Sequence, residues 1–190
     1  MGLLKNRLSA VFSGSRLSGT TLPLIVYSVL SVFILWDLIL PGYVLTLDMV
    51  FTPILPFPRE FYGFDADPIK LLTLPYRLGL WALNLVLPSW LIQKAILFTI
   101  FLLAGLGAHL LCKARSLSGR FYAGFMYVLN PFVYVRFMVG HYRVLLAYSI
   151  FPFLINSFME FMDEPRLDNG IKLVLLLTLN LIANVHFAYI

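Results

Sequence analysis

The chain has 190 residues, 61% of them hydrophobic and only 12% charged, with a mean hydropathy of +0.89; so apolar a composition predicts a membrane protein and excludes an ordinary water-facing domain. Its net charge of +5 comes from basic residues placed mostly at the ends of apolar runs, a pattern that suits membrane orientation and anionic headgroups rather than nucleic acid. A single cysteine, Cys112, excludes a disulfide framework or a cysteine metal site within the chain.

Residues 1–21 carry Lys5, Arg7 and Arg16 without the apolar core and small-residue cleavage site of a signal peptide, and read as a retained cytoplasmic tail. Five apolar runs then approach the roughly 20 residues that a membrane crossing needs. They lie at about Leu22 to Leu40, closed by Pro41-Gly42, then Leu91 to Cys112, Phe121 to Val139, Val144 to Phe161 and Ile171 to Ile190. The last stops inside apolar text, so residues 22–190 read as the N-terminal part of a longer multi-pass domain. The expected fold is an all-α polytopic membrane protein of about five transmembrane helices.

The segment Ile69 to Trp90, IKLLTLPYRLGLWALNLVLPSW, is long enough to cross, but it carries Lys70, Pro75, Arg77 and Pro88. If it lies on the surface, the tail, the KARSLSGR loop and the Arg166/Lys172 loop share the cytoplasmic side, with eight of the fourteen basic residues; if it crosses, that side holds six. Positive-inside bias favours the surface reading, and two prolines leave little uninterrupted helix between them. Residues 42–90 are then one large extracytoplasmic loop with interfacial helices, and a long ordered loop is where function is expected.

That loop carries Asp48 in an apolar patch, a candidate general base or metal ligand or a turn residue near water, and the pair Asp65 and Asp67 in FDADP, whose hard oxygens suit Mg or Mn or simply form a turn. On the same side the hairpin NPFVYVRFMVGHYR gathers Arg136, His141 and Arg143 against the positive-inside trend. Guanidinium forks there suit a phosphate, with snorkelling to headgroups as the plainer reading. Asn130 precedes a proline that kinks its helix, as where helices line a cavity. Asn180, Asn184 and His186 in the last run serve interhelical hydrogen bonding, or Asn184 and His186 complete the site. Asp37 is an intramembrane or interfacial acid, and His109 is expected at the interface.

PGYVLTLDMVFTP, FDADPIKLL and YVLNPFVYVRFMVGHYRVLLAYSIFPF together resemble the glycosyltransferase C superfamily, in particular its arabinofuranosyltransferase-like branch and prokaryotic relatives, over about Pro41 to Phe153. The resemblance implies a cell-membrane enzyme that moves a sugar from a polyprenyl-phosphate carrier to a glycan, lipid or protein acceptor outside the cytoplasm. It implies Asp48 as the loop acid, with Asp65 and Asp67 as second choices and possible metal ligands, and Arg136, His141 and Arg143 as lipid-phosphate contacts. A multi-pass transporter or lipid flippase, or a non-catalytic membrane assembly subunit, is the alternative.

Overall fold

The computed structural model describes residues 21–64 and 67–184, all of whose regular structure is helical. Helix α1 covers Thr21–Ile34 and passes into a 3-10 turn at Trp36–Leu38. The expected first span therefore stops short of Leu40: Pro41 disfavours helix in the residue before it, and Gly42 turns the chain at φ 135°. Beyond it lies irregular chain rich in proline (Pro53, Pro56, Pro58), relieved by a second 3-10 turn at Arg59–Tyr62.

The ambiguous segment divides into α2, Pro68–Leu72, and α3, Leu74–Asn84. Pro75 sits in the first turn of α3, where its missing N–H costs nothing, but it cannot donate back into α2. Neither piece reaches the length of a crossing. Helix α4 follows as Ser89–Leu111, 23 residues long. The expected third span is broken in two: α5, Leu117–Val128, is capped by the Ser116 hydroxyl, which accepts from Gly119 N at 3.1 Å, and α6 is Pro131–Val139. Asn130 lies between them in extended backbone and caps α6, its Oδ1 accepting from Val133 N at 3.0 Å. A proline at N1 with a ready cap in front of it starts a new helix instead of kinking an old one. Gly140 ends α6 at φ 91°. Then come α7, Tyr142–Asp163, and α8, Leu167–Ala183. The end of the expected fifth span, including His186, lies outside the described residues, as does Asp65.

Helix α4 packs against both α5 and α7, and α8 packs on α7. Leu97, Ile100, Phe101, Ala104, Val128, Val133 and Leu145 meet in the core with Leu35, Met49 and Phe51. Two helices, α4 and α7, are long and apolar enough to cross a membrane. Large apolar side chains on the outside, such as Phe33 at 77% exposure and Val174 at 60%, are what lipid contact, or a further partner, would cover.

The bundle has two distinct ends. At the tail end the Tyr27 ring fills a gap made by two glycines, and its hydroxyl lies 3.3 Å from His109 Nδ1. His109, expected at the interface, is fully buried there against Tyr27 and Phe121, because Gly105 and Gly124 let α1 and α5 close over it. Lys113, Arg115 and Arg120 follow close by in sequence. The other end, called here the loop end, holds Asp37, exposed in its 3-10 turn, and both the departure and the return of residues 42–88.

A Cβ on Gly124 would lie 2.7 Å from the backbone oxygen of Gly105 as well as against the Tyr27 ring. Overpacking costs typically 1–3 kcal/mol, against a helix-propensity gain of about 1. Gly124→Ala should lower the melting temperature of the detergent-solubilised protein by a net loss of up to about 2 kcal/mol. Gly79→Ala, where nothing lies within 4 Å, should not.

Candidate functional site

The loop is fastened to α4 and to the end of α3 by polar groups that an apolar interior would otherwise leave unsatisfied. Gln93 is buried, and its amide pairs with both backbone groups of one residue: Nε2 donates to Val44 O at 2.7 Å and Oε1 accepts from Val44 N at 2.9 Å. Ser89 Oγ donates to Thr52 O at 2.6 Å and meets Tyr43 Oη at 2.9 Å. Asn84 Oδ1 accepts from Leu55 N at 2.7 Å. Between these ties Met49 and Phe51 plug into the core.

The same loop then touches the α6–α7 turn. Asp48 N donates to Val139 O at 3.1 Å. The contact is close enough that a Cβ on Gly140 would stand 2.8 Å from Met49 N. Gly140 is therefore required twice over, for its left-handed backbone and for the approach of the loop.

This contact brings Asp48 to the hairpin cations. Asp48 Oδ2 lies 2.5 Å from His141 Nε2, and His141 Nδ1 lies 2.8 Å from Arg136 Nη1. A guanidinium has no acceptor, so Nδ1 must be the unprotonated nitrogen and the ring proton must sit on Nε2, donated to the carboxylate. The result is an ordered line of carboxylate, neutral imidazole and guanidinium, with the Arg136 head also 5.5 Å from the centre of the Phe132 ring. Asp48 is half exposed and His141 about a quarter, so the line opens to the surroundings at its acidic end. Held this way, the carboxylate keeps its second oxygen for a ligand and is suited to accepting a proton.

The remaining candidates separate. Arg143 turns from this line and donates from Nε to Ala183 O at 3.1 Å and from Nη2 to Ile182 O at 3.4 Å, capping α8. Asn130 is occupied in holding the α5–α6 break: besides its cap, its Nδ2 donates to Tyr127 O at 2.7 Å and Tyr148 Oη at 3.1 Å. Asn180 donates to Ala147 O at 2.8 Å, an interhelical bond between α8 and α7, and Asn184 ends α8. Asp67 precedes α2, its carbonyl accepting from Leu71 N. Among the described residues no three His, Cys, Asp or Glu side chains come together to hold a metal, and one oxygen of Asp48 is taken by His141; Asp65, the partner expected for Asp67, lies outside the described residues.

Sequence reading passed over Gln93, Glu60 and Tyr76. Gln93 carried a signal, a neutral amide inside an apolar run that has to find partners. Glu60 is buried in the loop and pairs with Arg77 at 2.7 Å, tying the second 3-10 turn to α3. That guanidinium holds the Glu60 carboxyl below the ordinary carboxylate range. The chain matches no family model, no curated protein and no solved structure.

Two outcomes follow from this geometry. With Cys112 replaced by Ser, single cysteines at positions 48 and 141 should react with an impermeant thiol reagent from the same side of sealed vesicles; opposite sides would contradict the Asp48–His141 contact. A depressed folded-state pKa at Glu60 contributes stability above the unfolded carboxyl value, about 4.3, and that contribution is lost as pH falls through the lower folded value. Trp81 packs on Phe57 at 5.0 Å, so its fluorescence, with Trp36 and Trp90 changed to Phe, should shift on acidification below about pH 4 in the parent and not in Glu60→Gln.

Proposed function

We propose that the chain is part of a polytopic cell-membrane glycosyltransferase that moves a sugar from a polyprenyl-phosphate carrier to an acceptor hydroxyl at the membrane face where the loop end lies. The observation that carries the reading is the line Asp48–His141–Arg136, a carboxylate oriented by a neutral imidazole beside a fixed positive charge. It stands at the end of an apolar bundle, where a carrier with its tail in lipid would present its phosphate.

In this mechanism the free oxygen of Asp48 takes the proton of the acceptor hydroxyl as that oxygen attacks the anomeric carbon. The bond from that carbon to the phosphate oxygen breaks, and its electron pair leaves with the phosphate. The guanidinium group of Arg136 offsets the charge of the leaving group, and His141 keeps the carboxylate aimed. No step is routed through a metal.

The proposed topology has five membrane-embedded elements: α1 with its 3-10 turn, α4, the broken pair α5–α6, α7 and α8. The tail lies in the cytoplasm, residues 42–88 lie outside, and the polarity is that of a prokaryotic cell envelope. A loop that leaves and returns at one end of the bundle supports this arrangement, since Gln93 and Asn84 bind Val44 and Leu55 across it.

Transfer from polyprenyl-phosphate sugars in reconstituted vesicles tests the reading. Asp48→Asn keeps the shape and the hydrogen bond from His141 but removes the base, and transfer should fall by roughly 10²–10⁴-fold. His141→Gln, which loosens the carboxylate without removing it, should cost about tenfold, the equivalent of one hydrogen bond of ~1.4 kcal/mol. Wild-type transfer by folded Asp48→Asn protein would overturn Asp48 as the base, and no transfer by the folded parent protein would overturn the enzyme and leave transport or assembly.

A further inference from the structure

A second polar cavity lies at the loop end, apart from Asp48. It has a volume of about 290 Å³ and opens between the loop, α3 and the first turn of α7, with Phe51, Pro56, Tyr76, Arg77, Tyr142 and Arg143 among its walls. We infer that this cavity is an oxyanion site that takes a phosphate group through Arg143 and Arg77, with the phenols of Tyr76 and Tyr142 as neutral donors. The inference stands on the cavity alone and does not require that the chain transfer sugars.

The charges in the walls do not cancel. Arg77 is matched by Glu60 at 2.7 Å, whereas Arg143 is bonded only by the neutral carbonyls of Ile182 and Ala183 among the described residues. Those bonds use Nε and Nη2 and leave Nη1 with two N–H groups that donate to no described residue. A guanidinium braced by backbone on one edge, with no described partner on the other, is pre-ordered for a tetrahedral oxyanion, because little side-chain entropy remains to be lost.

The phenols fit the same ligand. Arg143 stands 5.9 Å from the centre of the Tyr76 ring, and Tyr142 packs edge-on to Phe51 at 5.7 Å. Tyr76 Oη is buried beside the Tyr142 hydroxyl yet makes no hydrogen bond of good geometry. Burial pushes the Tyr76 hydroxyl well above its ordinary pKa, so it stays protonated and remains a donor. The open edge of Arg143, the second guanidinium of Arg77 held in place by Glu60, and two phenols supply donors, and no carboxylate lines the cavity itself, which suits a phosphate better than a cation or a neutral sugar. The other large cavity near this end, lined by Ile34, Phe101, Pro131, Val133, Tyr134 and Phe137, has no charged wall and no comparable claim.

The phosphate has two possible sources, a soluble phosphate and a lipid headgroup. The whole chain, purified in a phosphate-free maltoside detergent, is titrated calorimetrically with inorganic phosphate and, separately, with micellar phosphatidylglycerol. Binding of either probe that weakens roughly ten- to a hundredfold in Arg143→Gln bears the site out; response to phosphate identifies a soluble source and response to phosphatidylglycerol alone a lipid. Because Arg143 also caps α8, Tyr76→Phe serves as a second variant, retaining every ring atom and weakening binding about fivefold, the loss of one neutral donor. No binding of either probe, or binding that Arg143→Gln and Tyr76→Phe leave unchanged, overturns the inference.

Discussion

The architecture of the loop end depends on one buried side chain. Gln93 stands in the first turns of α4 among apolar neighbours, where an unpaired amide would cost several kcal/mol. It satisfies both of its ends on the N–H and C=O of Val44, as a neighbouring strand would. That pairing fixes the height at which the chain leaves the bundle. Everything that follows in the loop, from the Met49 and Phe51 plugs to the Asp48 contact with Val139, is measured from it. In a low-dielectric setting such a pairing is strong when complete and expensive when broken, so it serves as an anchor rather than an ornament.

The two ends of the bundle solve different problems. At the tail end the difficulty is bulk: the Tyr27 ring enters between α4 and α5 only because Gly105 and Gly124 have no side chains to displace. At the loop end the difficulty is unsatisfied backbone. Residues 39–58 form no regular hydrogen-bonded structure apart from short turns, so their groups must be met by Gln93, Ser89, Asn84 and the carbonyl of Val139. Side chains that meet backbone in this way also set the positions of neighbouring residues. The carboxylate of Asp48 is placed by its own backbone N–H, not by the imidazole it faces.

The hairpin divides its cations by geometry. Gly140 reverses the chain, so that His141 folds back over the last turn of α6 to reach Arg136. Arg143 stands two residues further on, inside α7, and residues two apart on a helix do not share a face. One arginine therefore joins the acid and the imidazole, and the other braces α8 and lines the separate cavity. Two basic centres with different neighbours can hold different parts of one ligand or two different ligands.

Hydropathy and punctuation alone determined the helical class, the two long helices α4 and α7 to within about two residues at each end, and the prolines that stop Ile69 to Trp90 from forming one long helix. These are local properties, set by side-chain transfer energies and by backbone groups that proline removes. Charge placement pointed to a loop that leaves and returns at one end. The residues Asp48, Arg136, His141 and Arg143 were legible as polar groups in apolar text. Which of them meet was not, because Asp48 and His141 are joined only through the packing of the loop on α4 and α6, and no local rule reports a contact over such a separation. The burial of His109, the pairing of Glu60 with Arg77 and the turning away of Arg143 were likewise decided by tertiary structure, since each depends on what another element leaves space for or leaves unsatisfied.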